Sequence, residues 1–167
     1  WTQNRYALFR RLWRALCVNK KMEAYKDIIG FEKVIEHFGE WPSFHDAEVI
    51  SMSFNRNHIF EPSGPSMVAK VHAFLITPEV DKNGYYKTIK HCIITFEFDT
   101  VYDLVFEDFN HQNALDGLRF ENTKDIDNKP IIAVSFDSAY GVDCEFKCKL
   151  ALISEIKNGK PENGVYT

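Results

Sequence analysis

Ile132-Ala133-Val134-Ser135-Phe136-Asp137, followed after a short interruption by Val142-Asp143-Cys144-Glu145-Phe146-Lys147-Cys148-Lys149-Leu150-Ala151-Leu152, decides the fold. Ile132, Val134, Phe136, Tyr140, Val142, Cys144, Phe146, Cys148, Leu150 and Leu152 hold the even positions. Asp137, Asp143, Glu145, Lys147 and Lys149 hold the odd ones. Successive side chains of a strand point to opposite faces, so the stretch reads as two strands with one apolar and one charged face. Strands wetted on one face belong to antiparallel rather than parallel sheets. Gly141 marks the turn or sharp bend between them.

The same period runs upstream. Ile94, Phe96, Phe98, Tyr102, Leu104 and Phe106 alternate with Glu97, Asp99, Asp103 and Glu107. The phase survives Asp99-Thr100-Val101, which suits a bulge or a three-residue loop. If these two segments are neighbours, Glu97, Asp99, Asp103 and Glu107 form an acidic stripe on one sheet face. That stripe is either the solvated side of the sheet or a docking surface for a basic protein. Further strands are expected from Val49, with Ile50, Met52 and Phe54 on one face, from Met67 to Thr77, and from Tyr85 to Phe98. Asp81-Lys82-Asn83-Gly84 supplies a turn between the last two. Asn113, Leu115 and Leu118 suggest a short helix or a bend, and Glu121 to Lys129 a charged loop. Phe31, Val34, Ile35 and Phe38 follow helical spacing, and Gly39 stops that helix.

Length and composition bound the rest. A chain of 167 residues suits one domain. Fourteen phenylalanines predict an aromatic core. Residues 1–21 hold six basic residues and no acid, while the whole chain carries −4, so the remainder carries −10. An acidic body repels phosphate, which argues against nucleic acid and for a basic protein partner. Residues 1–21 read as a basic N-terminal extension with Tyr6, Phe9, Leu12, Trp13 and Leu16 at helical spacing. Three readings stay open: a membrane-touching amphipathic helix, a helix docked on the acidic body, or a stretch ahead of a natural start at Met22. Residues 22–167 read as a single β-rich domain. No apolar run approaches the ~18 residues that a membrane span needs. Cys17, Cys92, Cys144 and Cys148 lack a CxxC pair and read as reduced thiols of a cytoplasmic protein.

Trp41-Pro42-Ser43-Phe44-His45-Asp46-Ala47-Glu48-Val49 is the densest chemistry in the chain. Pro42 forces an extended turn. His45, Asp46, Glu48 and His111 raise the possibility of a small metal- or ligand-binding domain or a hydrolase. The spacing is poor for it, because Asp46 and Glu48 share a strand face that His45 leaves. There is no HExxH, Walker loop, Rossmann glycine pattern or nucleophile elbow. The plainer reading is that His45 and Asp46 hydrogen-bond a turn under Trp41.

With Phe38-Gly39 before it, this stretch resembles the immunity protein 50 family of bacterial polymorphic toxin systems. Asp108-Phe109-Asn110-His111-Gln112-Asn113 and Ser138-Ala139-Tyr140-Gly141 are similar to it as well. The resemblance spans roughly Met22 to Ile156. It implies a β-rich cytoplasmic protein, encoded beside a toxin, that binds and neutralises that toxin without catalytic residues or cofactors. Trp41, His45, Asp46, Glu48, Asn110, His111 and Tyr140 then stand as the fold's polar framework or a shared pocket. Glu97, Asp99, Asp103 and Glu107 stand as toxin contacts. The expected fold is α+β and β-rich: a curved antiparallel sheet with one or two N-terminal helices packed against it.

Overall fold

The computed structural model describes residues 23–56 and 64–162. The basic extension at 1–21 lies outside them, as do Cys17 and part of the loop after Asn55. One α-helix, α1 (Phe31–Phe38), follows a 3-10 turn at Ala24–Asp27. Val34 and Phe38 are buried, and Phe31 packs against the core. Gly39 ends the helix at φ 95°, its N–H donating to the Ile35 carbonyl at 2.7 Å. A left-handed residue at that position satisfies an orphan carbonyl, and glycine takes it without strain.

Eight strands follow: β1 (Glu48–Asn55), β2 (Ser66–Val80), β3 (Tyr86–Asp99), β4 (Tyr102–Glu107), β5 (Ala114–Lys124), β6 (Pro130–Tyr140), β7 (Asp143–Cys148) and β8 (Leu150–Asn158). They form one antiparallel sheet in the order β4-β7-β6-β5-β1-β2-β3-β8. Two joints shape it. β3 runs into β4 through Thr100 and Val101, and β7 into β8 through Lys149 alone. β3 pairs with β8 while β4 pairs with β7, so these are two bent strands lying side by side. The bend carries the sheet around an aromatic core. Phe98 of β3 meets Phe146 of β7 at 4.9 Å and Phe136 of β6 at 6.3 Å. Phe96 meets Phe44 and Phe120, both at 6.1 Å.

The strands depart from the sequence expectation at three places. Leu115 and Leu118 lie on β5, which reaches Lys124, and only 125–129 form the turn. The helical hint there yielded to pairing along all of β6. The phase predicted across β7 and β8 flips at Lys149. Ala151 and Ile153 are buried, and Leu150 and Leu152 are not, because β8 leaves β6 to pair with β3. The third departure is β4. Left-handed Thr100 and Asp103, each at φ 54°, break its phase, and Leu104, Val105 and Phe106 are exposed.

His72 of β2 is fully buried. Its Nε2 lies 3.0 Å from Nδ1 of His91, whose Nε2 lies 3.0 Å from the Thr88 hydroxyl. One N–H bridges the two rings. Burial, then the nearby charge of His91 and of Lys160, lowers the His72 pKa to about 4. The unfolded chain takes up a proton at this residue below about 6.5, and the folded chain only near 4. Stability from this group is therefore full above pH 6.5 and is lost as pH falls to 4. Urea unfolding should show the midpoint dropping across that window, with a flatter slope in His72→Phe. Phe98→Ala should cost about 3–5 kcal/mol by the same measurement, because it opens a cavity among the rings of Phe96, Phe136 and Phe146.

Candidate functional site

The Trp41–Val49 stretch fills a gap in the sheet. β1 meets β5 through one bridge among the described residues, Glu48 to Ala114. The backbone on either side completes the joint. Asp46 N–H donates to the Leu115 carbonyl, Leu115 N–H to Ala47, and Val49 N–H to Asn113. Phe44 and Asp46 take left-handed φ values of 59° and 62° to make the turn. Trp41 stacks on Tyr25 at 4.6 Å and meets Phe44 and Phe120 edge-on. It is a wall of the site and part of the framework at once.

Asn113 ties the second and third motifs to the first. Its Oδ1 accepts from the N–H groups of Asn110 and Val142, and its Nδ2 donates to the carbonyls of Asn110 and Val49. Asn110 in turn accepts the Gln112 N–H and donates to the Asp108 carbonyl. Gly141 sits against this knot at φ 81°, and a Cβ there would lie 2.3 Å from the Gln112 carbonyl oxygen and 2.7 Å from Asn113 Oδ1. Tyr140 is exposed beside it, and so is His111.

The histidine–carboxylate group does not assemble as a ligand set. His45 is exposed, with Nδ1 3.6 Å from Asp116 and Nε2 4.0 Å from Asp46. Glu48 is buried; burial raises its pKa, against a backbone N–H from Asn113 that lowers it. No group of three or more His, Cys, Asp or Glu side chains among the described residues is placed to hold a metal ion. Cys92, Cys144 and Cys148 are free, buried thiols whose pKa burial pushes up to about 12. A thiol so held is no nucleophile near neutrality.

The four acids expected as a stripe are spread along the bent β3–β4 run, since β3 and β4 are not hydrogen-bonded neighbours. Glu97 is half-buried. Asp99 is buried and accepts the Thr100 N–H. Asp103 receives the Lys147 ammonium at 2.8 Å. Glu107 is exposed at the far end of β4.

A further concavity lies elsewhere. A cleft of about 960 Å³ runs along β5, β6, β7 and β4 and against the Glu40–His45 segment. Strand register builds its wall. Arg119, Ser135, Glu145 and Val105 form one row across four strands, and Glu121, Ala133 and Lys147 form the next. These are the odd, charged positions of the β6–β7 hairpin together with their β5 and β4 partners. Asp137, nearly fully buried, receives Arg119 Nε at 2.6 Å and the Ser135 hydroxyl at 2.6 Å. Arg119 also lies 3.9 Å from Asp116, which links the cleft to His45. Among the described lining residues the carboxylates Glu40, Asp103, Glu121, Asp137 and Glu145 outnumber the cations Arg119 and Lys147. The hairpin's alternation signals this face; Arg119 carries no signal beyond being the first cation after Lys90.

A family model described as immunity protein 50 matches residues 30–159, from the turn before α1 to the end of β8. No curated protein and no solved structure matches. The matched residues contain all three motifs, the Asn113 knot and the described cleft lining other than Tyr25. Gly141→Ala should destabilise the chain by at least about 2 kcal/mol in urea unfolding, through a left-handed φ and a Cβ inside two oxygens. An unchanged midpoint would show that the knot gives way without cost.

Proposed function

The chain belongs to the immunity protein 50 family, and from that premise we propose that it neutralises a cognate bacterial toxin by binding it. The observation that carries the reading is the extent of the match, which takes in nearly the whole fold rather than one motif. The folded domain is itself the immunity unit. It belongs to a polymorphic toxin system and acts in the cytoplasm of the cell that makes the toxin.

The chemistry of the site supports binding rather than turnover. Its strongest polar groups are spent on one another: Arg119 on Asp137, and Lys147 on Asp103. A catalytic group would instead face an open position where a reacting atom could sit. The toxin partner presents a basic surface, which the carboxylates among the described cleft residues attract. Asp103 lies on that cleft and is the one of the four expected acids that we keep at its centre. Glu97 and Glu107 flank it along the β3–β4 run. An interface of about 1,600 Å² in total would cover the cleft and its rim. Among the described residues no helix is long and apolar enough to cross a membrane.

Two measurements test this. Cells expressing the toxin encoded beside this chain should grow only when the chain is co-expressed. Titrating purified chain into active toxin should abolish toxin activity at equimolar ratio. Raising salt from about 0.05 M to about 0.5 M should slow association roughly tenfold, because long-range steering is screened. Continued toxicity at excess chain, with both proteins folded, would overturn the proposal.

A further inference from the structure

We propose that the outer end of the β2–β3 hairpin, Ile76 to Ile89, is an arm that enters an apolar groove on the toxin. This rests on the toxin-binding reading above and adds a second contact beside the cleft.

The arm stands clear of its flanking strands. Among the described residues, β1 pairs with β2 only as far as His72, and β8 with β3 only as far as Cys92. β2 and β3 continue together past those points to Val80 and Tyr86. At about 3.3 Å per residue, the run from Ala73 to Val80 carries the pair roughly 20 Å further. Lys90, left-handed at φ 55°, fixes the base. Its ammonium donates to the Phe38 carbonyl at 3.0 Å, and its own carbonyl lies 2.9 Å from His37 Nε2.

The arm is also held in shape without a third strand. The Thr77 hydroxyl donates to the Lys87 carbonyl at 3.1 Å, and Lys87 pairs with Glu79 at 2.8 Å. At the tip, one Asp81 carboxylate oxygen accepts the N–H groups of Asn83 and Tyr85, and the Asp81 N–H donates to the Tyr85 carbonyl. Order present before binding lowers the entropy that association costs. The ionic groups of the arm are thus largely spent on one another or on its backbone. What it offers a partner is apolar and tyrosyl: Ile76, Val80, Tyr85, Tyr86 and Ile89 are 46–73% exposed. A two-stranded ribbon is marginal in water, and apolar side chains left wet on it do nothing to support it. Tyrosine is enriched at the buried centres of protein interfaces, where its ring fills a pocket and its hydroxyl finds a partner.

Shape and size choose the occupant. Tyr86 and Ile89, three apart on one strand, face opposite sides of the ribbon. With strands about 4.8 Å apart and roughly 20 Å long, each side offers at most a few hundred Å². One side laid on a second copy of this chain falls short of the ~800 Å² per partner that a stable interface buries. A groove that closes on both sides, on a protein that also covers the neighbouring cleft, reaches that size. Leu75 and Ile76 line the cleft, so arm and cleft form one continuous surface. The partner is therefore the toxin seated on the cleft, and its groove is apolar with hydrogen-bonding groups for the tyrosyl hydroxyls.

The test uses the full chain and a catalytically inactive form of the toxin encoded beside it, with affinity measured by surface plasmon resonance at about 0.05 M and about 0.5 M salt. Tyr85→Ala with Tyr86→Ala should weaken binding about 100-fold. That factor should be the same at both salt concentrations within about threefold, because an apolar contact is not screened. Ile126→Ala, the same kind of truncation on the exposed β5–β6 turn, should change affinity less than about threefold. Circular dichroism establishes that each variant is folded. If the double variant does not fold, Tyr85→Ala alone should still weaken binding about tenfold. Unmodified chain that binds tightly while the arm variants match the Ile126 control would overturn the arm and leave the toxin-binding reading standing. A loss that vanishes at high salt would assign the contact to charge and overturn its apolar character. Unmodified chain that fails to bind would remove both readings. Intact toxin binding by the arm variants, with an altered sedimentation of the free chain, would assign the arm to a second copy and overturn the inference.

Discussion

A short seam of backbone hydrogen bonds, completed by the Asn113 side chain, ties the molecule's two halves together. β1, β2, β3 and β8 form one half of the sheet, and β5, β6, β7 and β4 the other. On one side the halves are joined covalently through the bends at Thr100–Val101 and at Lys149. On the other, among the described residues, they meet at the bridge from Glu48 to Ala114, flanked by the backbone bonds of Asp46, Ala47 and Val49 and reinforced by Asn113. A seam this short leaves backbone groups that must find partners elsewhere, since buried unpaired ones are costly. Asn113 supplies two acceptor sites and two donors at that point. It closes the Asp108–Asn113 loop, the turn at Gly141 and the start of β1 together. Gly141 is required because any side chain there would occupy the space the asparagine network uses.

The same seam opens the cleft. Because β1 leaves β5 after one bridge, the Glu40–Ala47 segment fills the gap, and Trp41 and His45 come to stand beside the charged face of β5. That face is unusual in burying a carboxylate. Asp137 is tolerated there because Arg119 and Ser135 both donate to it. Removing Arg119 strands a buried carboxylate, while the arginine's own end of the pair stays wetted. Lys147 and Asp103, both largely exposed, contribute little to stability and can be re-paired on binding at small cost. The site thus combines one fixed ion pair with a rim that is free to exchange partners, an arrangement suited to recognition.

Much of this was legible in the residues. Phe31, Val34, Ile35 and Phe38 with Gly39 specified α1, and the alternation through Ile132–Cys148 specified β6, β7 and the antiparallel class. The family match bears out the resemblance that the three motifs carried. What was not legible lies where tertiary pairing overrides local pattern. Leu150 and Leu152 continue the apolar period of β7, yet β8 changes partners and buries Ala151 and Ile153 instead. Tyr102, Leu104 and Phe106 have a core-facing period, yet left-handed Asp103 turns β4 at the sheet's edge. Neither switch has a glycine to announce it. The charged odd face of β6 and β7 was visible as a face, but its union with Arg119 and Trp41 into one cleft needed the strand order.

The central claim is that the face made by β5, β6, β7 and β4 meets the toxin while the fold behind that face supports it. Amide hydrogen exchange on the full chain, alone and with the inactive toxin, addresses it most directly. The account predicts slowed exchange across Arg119–Glu121, Ala133–Asp137 and Glu145–Lys147, with α1 little changed. Slowing confined to α1 and β2, with those three segments unaffected in a saturated complex, would contradict it.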